Sequence, residues 1–220
     1  MSCQVDYKKK YKDLYQPKAI PMLVDVPKMK FIMVDGKGNP NDENGEYAKA
    51  MELLYGLSYT IKMSKKGGNE PEGFFEYVVP PLEGLWWTEI DRPFDTDQKD
   101  KLIWTSMIRQ PEFVSEEVFK WAVDELKKRK PHIDTSKARL EEFTEGLCVQ
   151  MMHFGSYDTE ALTVKAIDDF ASANGYVNAI SEARPDGTIC RHHEIYLNDP
   201  RKVSIEKLKT IVRHPIRKQK

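Results

Sequence analysis

Two short apolar stretches of this chain each carry a glutamate where a soluble protein normally places a hydrophobic side chain. Arg191–Leu197 contains Glu194, and Pro81–Trp87 contains Glu83. Successive side chains of a strand point to opposite faces, so Glu194 shares a face with His192. We therefore expect each glutamate to lie inside a sheet, and the two together to mark one acidic pocket built from two related halves.

The elements around these stretches are predicted in the same order in both halves of the chain. Hydrophobic periodicity predicts a strand, a helix and two strands in the first half, over 29–34, about 47–61, 74–79 and 102–108. It predicts the same four elements in the second half, over 147–154, about 158–173, 177–183 and 188–197. The last two strands of the second half are expected to form a hairpin at Pro185-Asp186-Gly187.

Three further segments complete the predicted organisation. A helix is expected to begin after Ser115, a typical N-cap, and to end before Pro131. The polar stretch 131–144 is expected to connect the halves, and a short last helix is expected over 204–213. The chain of 220 residues is long enough to bury a sizeable core.

We predict a lead-in over 1–24 followed by one domain over 25–220. That domain is expected to consist of two repeats, at about 25–130 and 145–220.

Charge and cysteine usage exclude several classes of protein. The 34 Lys and Arg nearly balance the 35 Asp and Glu, so no net field favours direct binding to nucleic acid or to an anionic membrane. No secretory or membrane-spanning run is present, and Cys3, Cys148 and Cys190 are too widely spaced for a disulfide framework. We expect a cytoplasmic protein with reduced thiols.

Three motifs and the order of the elements resemble the gyrase-inhibitor-like (GyrI-like) small-molecule-binding family. The motifs are Val34–Pro40, Pro81–Trp87 and Glu194–Arg201, and the resemblance runs from about residue 25 to the end. It implies an α+β fold of two β-α-β-β units related by a pseudo-two-fold axis. The units would form antiparallel sheets with helices packed on one side and a ligand groove between the halves.

The resemblance also implies a class of ligand. An acidic residue in an aromatic pocket of this superfamily meets planar, hydrophobic or cationic small molecules, and some stand-alone members hydrolyse the cyclopropane ring of DNA-alkylating natural products. The favoured function is hydrolysis of such genotoxins for cellular protection. The alternatives are a non-catalytic binder that sequesters planar or cationic drugs and a protein-interaction inhibitor of DNA gyrase. The oligomeric state stays open.

Glu194 and Glu83 are the candidate catalytic residues. If the two carboxylates converge, one can hold a proton while the other stays ionised, as acid-base hydrolysis requires. The ionised carboxylate would activate water against the strained ring. Tyr157, Tyr196 or His192 would then stabilise the charge that develops on the conjugated oxygen of the substrate.

Several aromatic and sulfur-containing side chains are candidate walls of the ligand site. Trp86 and Trp87 are adjacent in sequence, so a strand directs their rings to opposite faces and at most one lines the groove. The remaining candidate contacts are Tyr55, Trp104, Met107 and Phe154.

Neither a metal site nor a cofactor site is expected. Cys190, His192 and Glu194 alternate along one strand, so their side chains are spaced about 6.5 to 7 Å apart and diverge from any common ion. The Gly36-Lys37-Gly38 turn lacks the spacing of a phosphate-binding loop.

Overall fold

The computed structural model describes residues 4–89 and 96–219, and the strands within these residues form one antiparallel sheet. The strands are β1 (Met22–Val26), β2 (Met29–Lys37), β3 (Leu82–Thr88), β4 (Leu102–Arg109), β5 (Ala138–Phe143), β6 (Gly146–Phe154), β7 (Tyr176–Asn178), β8 (His192–Tyr196) and β9 (Lys209–Lys218). The α-helices are α1 (Tyr7–Lys10), α2 (Lys12–Tyr15), α3 (Glu46–Lys62), α4 (Glu116–Arg129) and α5 (Ala161–Ala173). None of these helices is both long enough and apolar enough to span a bilayer.

The sheet is built from two similar units. Its strand order is β1-β6-β9-β8-β3-β4-β2-β5, with β7 paired to β9. The series β2-α3-β3-β4 and β6-α5-β8-β9 therefore each supply three adjoining strands, and the units meet where β3 pairs with β8. The predicted α+β fold is confirmed, with its repeated β-α-β-β order.

The register of β3 against β8 decides which side chains share a face. Gly84 lies opposite Glu194, and Glu83 lies opposite Ile195. Paired residues project from the same face, so Glu83 and Glu194 point to opposite sides of the sheet. The expectation that these two glutamates share one pocket is wrong, because an offset of one residue moves a strand side chain to the other face.

The larger helices cover the face that carries Glu194. Helix α3 buries an apolar stripe that includes Leu54, Leu57 and Ile61 against β2, β4 and α4. Ser115 accepts a hydrogen bond from the Val118 amide and starts α4 as predicted. Helix α5 packs on β6 and β9 in the other half.

The N-terminal segment covers the opposite face. Tyr7 of α1 and Tyr15 of α2 are buried in the core that contains Phe31 and Ile195, so the lead-in contributes to the interior. The helices of the protein therefore do not all pack on one side of the sheet. The larger α3, α4 and α5 do, whereas α1 and α2 do not.

Buried charged groups lie beneath this N-terminal segment. The Tyr15 hydroxyl donates to Glu83 at 3.1 Å, and His193 contacts Glu83 at 3.1 Å and Glu145 at 3.0 Å. Arg213 contacts the same Glu145 at 3.1 Å. We call Tyr15, Glu83, Glu145, His193 and Arg213 the opposite-face cluster.

Four sequence predictions differ from the structure. Residues 204–213 are not a helix, because strand β9 begins at Lys209 and places Arg213 and His214 in the sheet interior, where buried partners satisfy them. Residues 74–79 form only a single bridge, from Tyr77 to Val5. The connector 131–144 contains β5. The predicted hairpin is shorter than expected, because Ala183 pairs with Ile189 across the Pro185-Asp186-Gly187 turn whereas β7 pairs with β9.

Replacement of Glu83 by Gln is expected to destabilise the fold. Removal of this charge leaves His193 without one of its two carboxylate partners in a site that solvent does not reach. We expect the free energy of unfolding to fall by about 3 kcal/mol, the scale for breaking a buried ion pair. Chemical denaturation measures the change, with the exposed Glu206→Gln as control. Equal stability of the two variants would show that the opposite-face cluster does not hold the fold together.

Candidate functional site

A cavity of about 1290 Å³ opens on the helix-covered face where the two halves join. Strands β3 and β8, helix α3 and the start of α5 all contribute to its wall. The residues that carry its chemistry are Tyr47, Tyr55, Trp86, Tyr157, Glu160, Glu194 and Tyr196.

Two buried glutamates meet one histidine at this cavity. His192 Nε2 lies 3.2 Å from Glu194 Oε1 and 3.5 Å from Glu160 Oε1. Glu194 lies two residues after His192 on β8, so both point to the same face. Glu160 occupies the N-cap position of α5, but its side chain makes no capping bond. We call Glu160, His192 and Glu194 the acidic cluster.

The charges of the acidic cluster depend on one another. Burial lowers the pKa of His192, but hydrogen bonds to Glu160 and Glu194 outweigh it and raise that pKa to about 10. His192 is therefore an imidazolium at neutral pH. Burial and the neighbouring charge of Glu194 both raise the pKa of Glu160. Two carboxyl groups in different surroundings thus lie within 3.5 Å of one nitrogen of His192.

Aromatic side chains form the wall beside the acidic cluster. Trp86 Nε1 donates to the Tyr196 hydroxyl at 2.9 Å, and the Tyr47 ring lies 5.5 Å from the Trp86 ring. The Tyr157 ring meets the Tyr196 ring edge-on at 5.9 Å. These flat surfaces suit a planar ligand.

Gly84 makes the hydrogen bond between Trp86 and Tyr196 possible. A Cβ atom at this position would lie 2.6 Å from Trp86 Nε1 and 3.3 Å from the Tyr196 hydroxyl oxygen. Any other residue would therefore displace the indole. Glycine at this position, directly opposite Glu194, therefore leaves room for Trp86 and Tyr196 to stay in contact beside the carboxylate.

The tyrosine hydroxyls of the wall keep their protons. Burial and then the charges of Glu194 and Glu160 raise the pKa of Tyr157 to about 12. Burial and Glu194 likewise raise the pKa of Tyr196. Both hydroxyls can therefore act as hydrogen-bond donors at neutral pH.

The structure brings together five of the residues that the sequence nominates for the site. Glu194, Trp86, Tyr157, Tyr196 and Tyr55 line the cavity. His192 lies behind Glu194, where it contacts both carboxylates rather than the cavity wall.

The other nominated residues lie elsewhere, each for a physical reason. Glu83, Trp87 and Met107 project from the opposite face of the sheet, where the Arg191 guanidinium covers the Trp87 ring at 4.4 Å. Trp104 is on the cavity face, but α3 buries it. Phe154 is 51% exposed and contacts Lys209 away from the cavity.

Sequence reasoning missed Glu160 and Tyr47. Glu160 falls at the helix entry after Tyr157, where an acidic side chain is ordinarily explained by the helix dipole. Tyr47 has the spacing of a core residue of α3. No pattern in the sequence separates either residue from those roles.

The acidic cluster also has the ligand types of a metal site. One ligand atom from each of its three side chains lies within 4.8 Å of the others. A histidine ligand must be neutral, so a metal ion bound by these three side chains would replace the Nε2 proton of His192. The expectation that the side chains of Cys190, His192 and Glu194 diverge is wrong for His192 and Glu194, whose polar atoms lie 3.2 Å apart. Cys190 precedes β8 and is not part of the cluster.

Comparison with known proteins gives one family and several solved structures. The profile of the GyrI-like small molecule binding domain matches residues 21–217. A conserved Listeria innocua protein, described as uncharacterized, has a structure with 48% identity and a TM-score of 0.88, over 97% of this chain and all of that one. No curated protein sequence matches the chain.

Two structures of Listeria innocua proteins described as hydrolases are also similar. Each is 46% identical, with TM-scores of 0.84 and 0.86, and the alignments cover 97% and 98% of this chain and 100% of each hydrolase. The C-terminal domain of EcmrR shares the fold. Its identity is 12% and its TM-score 0.53, over 90% of this chain and 97% of that one.

The charge of His192 predicts a pH dependence of stability. Its pKa rises from 6.5 to about 10 on folding, so its contribution is complete below pH 6.5 and is lost as the pH rises towards 10. The free energy of unfolding should fall across this range by up to about 1.4 kcal/mol per pH unit relative to His192→Gln. Denaturant titrations of both proteins at several pH values measure this. Parallel curves would mean that His192 is neutral in the folded protein.

Proposed function

The chain belongs to the GyrI-like small-molecule-binding family, and we propose that it hydrolyses cyclopropane-bearing, DNA-alkylating small molecules in the cavity. The observation that carries this proposal is the buried acidic cluster at an aromatic cavity, since acid-base hydrolysis uses two carboxyl groups in different surroundings, and burial raises the pKa of Glu160. The similarity to two Listeria innocua hydrolases supports a hydrolytic reaction.

The size and the aromatic rings of the cavity favour a planar ligand. Its volume of about 1290 Å³ exceeds what a drug-sized molecule needs. Trp86, Tyr47 and Tyr196 offer rings on which a planar ligand can stack.

Glu194 is the proposed general base. It accepts a proton from a water molecule whose oxygen attacks the ring CH2 group, and the strained carbon–carbon bond breaks as the new carbon–oxygen bond forms. The released electron pair moves through the conjugated system to the carbonyl oxygen of the substrate. Protonation of that oxygen completes the net addition of one water molecule.

Tyr157 and Glu160 are the proposed donors to that oxygen. Tyr157 lines the cavity and keeps its proton at neutral pH. Glu160, whose pKa burial raises, can return the proton that the reaction consumes. Tyr196 is engaged by Trp86 and by Glu194, so it positions the base.

Sequestration of a planar drug is the second candidate function. The aromatic wall favours it, because stacking alone provides affinity without any reaction. A binder of this kind would protect only in proportion to its own concentration.

Replacement of Glu194 by Gln tests the proposed base. Substoichiometric protein is incubated with a cyclopropane-bearing alkylator, and ring-opened product is followed by mass spectrometry. We expect many turnovers per wild-type molecule and a loss of at least about 100-fold in the variant, the scale for removal of a general base.

Glu206→Gln, at an exposed position, serves as the matched control and should retain wild-type turnover. Full activity of Glu194→Gln would exclude Glu194 as the base. Product limited to one per wild-type molecule, together with ligand-induced quenching of tryptophan fluorescence, would establish a binder instead of an enzyme.

A further inference from the structure

A hydrogen-bonded chain of polar side chains runs from the acidic cluster through the second half of the protein. His192 Nδ1 lies 2.8 Å from His214 Nε2, and His214 Nδ1 lies 3.1 Å from Asp168 Oδ1. The side chain of His214 on β9 is 3% exposed, whereas that of Asp168 on α5 is 38% exposed. The hydrogen-bonded chain therefore links the buried acidic cluster to the protein surface.

The two ends of the hydrogen-bonded chain determine which ring nitrogens donate and which accept. The Asp168 carboxylate only accepts, so His214 carries its proton on Nδ1 and leaves Nε2 as the acceptor. That nitrogen can then receive the Nδ1 proton of His192. The Nε2 proton of His192 remains directed at the two glutamates of the acidic cluster.

Neighbouring groups fix the same arrangement. The Asn178 amide oxygen accepts from the Ile180 amide, which turns the Asn178 amide nitrogen towards Asp168 Oδ1 at 2.9 Å. The same Asn178 nitrogen lies 3.1 Å from His214 Nδ1, and with His214 protonated on Nδ1 both donors converge on Asp168 and hold it in place.

The charges that face each histidine agree with these roles. His192 faces Glu160 at the start of α5, Glu194 on β8 and His214 on β9, with Asp168 beyond. Burial lowers the pKa of His214, Asp168 opposes that shift, and the charge of His192 lowers it further. A neutral His214 beside a charged His192 is a donor and acceptor pair that fits the 2.8 Å distance between His192 Nδ1 and His214 Nε2.

We propose that Asp168 and His214 are positioning residues that hold the His192 ring in the orientation in which Nε2–H faces Glu160 and Glu194. They touch no substrate, and their contribution to turnover rests on the proposed function of the acidic cluster. The arrangement follows the general logic by which a buried carboxylate orients a catalytic imidazole. Here the oriented ring in turn fixes the two carboxylates.

The first test measures the protonation of the histidine ring nitrogens. The ring nitrogens of uniformly ¹⁵N-labelled full-length protein are followed by NMR at neutral pH. We expect a doubly protonated His192 and a neutral His214 with its proton on Nδ1. In Asp168→Asn the His214 signal should move towards a mixture of tautomers, because the amide supplies no charge to hold the proton on Nδ1.

The second test measures turnover of a cyclopropane-bearing alkylator by the same proteins. Asp168→Asn should lower kcat by at least about tenfold with KM within twofold, since only the orientation of the site changes. Asp169→Asn, at the neighbouring exposed ion pair with Lys165, is the matched control and should match wild type. Asp168→Glu should restore part of kcat, and thermal unfolding verifies that each variant is folded.

The outcomes separate this proposal from the proposed function. An unchanged His214 tautomer in Asp168→Asn, or an unchanged kcat despite a changed tautomer, would overturn the positioning role. If Asp168→Asn fails to fold, His214→Gln is measured for a change in the His192 Nδ1 signal, because His214 Nε2 is the partner of that nitrogen, and an unchanged Nδ1 signal would also overturn the positioning role. If the wild-type protein shows no turnover, the proposed function fails, and the NMR signals alone decide whether Asp168 and His214 hold the His192 ring.

Discussion

The pairing of β3 with β8 is the interaction on which the rest of the structure depends. It joins the two β-α-β-β units and, through the register of Gly84 against Glu194, selects the side chains that reach the cavity. Gly84 leaves room for Trp86 to bond Tyr196, so wall and carboxylate arise from the same few paired residues. A shift of β3 by one residue would place Glu83 opposite Glu194 and present it to the cavity in place of Gly84.

Two adjacent histidines pair with buried glutamates on both faces of the sheet. His192 and His193 point to opposite faces, and each lies between two glutamates that its charge compensates. An unpaired buried carboxylate would cost several kcal/mol, so both faces need such a cation. The N-terminal segment seals the pair at His193, whereas the pair at His192 borders an open cavity. The same ionic chemistry therefore serves stability on one side and can serve reaction on the other.

Sequence patterns predicted the repeated order of elements and the position of Glu194 within a strand, because apolar periodicity around a mid-strand carboxylate is local information. They failed at β9, where Arg213, His214 and Pro215 resemble the polar end of a helix. Only the folded sheet shows that Arg213 and His214 have buried partners. They also paired Glu83 with Glu194, since the spacing to the next aromatic or apolar residue says nothing about cross-strand register. Glu160 reaches the site only through the packing of α5 on the sheet, which no local pattern contains.

The central claim is that the reactive carboxylates are those of the cavity face and not those of the sealed face. The most direct measurement compares multiple-turnover hydrolysis of a cyclopropane-bearing alkylator by Glu160→Gln and Glu83→Gln at equal concentrations of folded protein. The account predicts that Glu160→Gln loses turnover, whereas Glu83→Gln keeps it despite its lower stability. Retained turnover in Glu160→Gln together with its loss in Glu83→Gln would contradict the account.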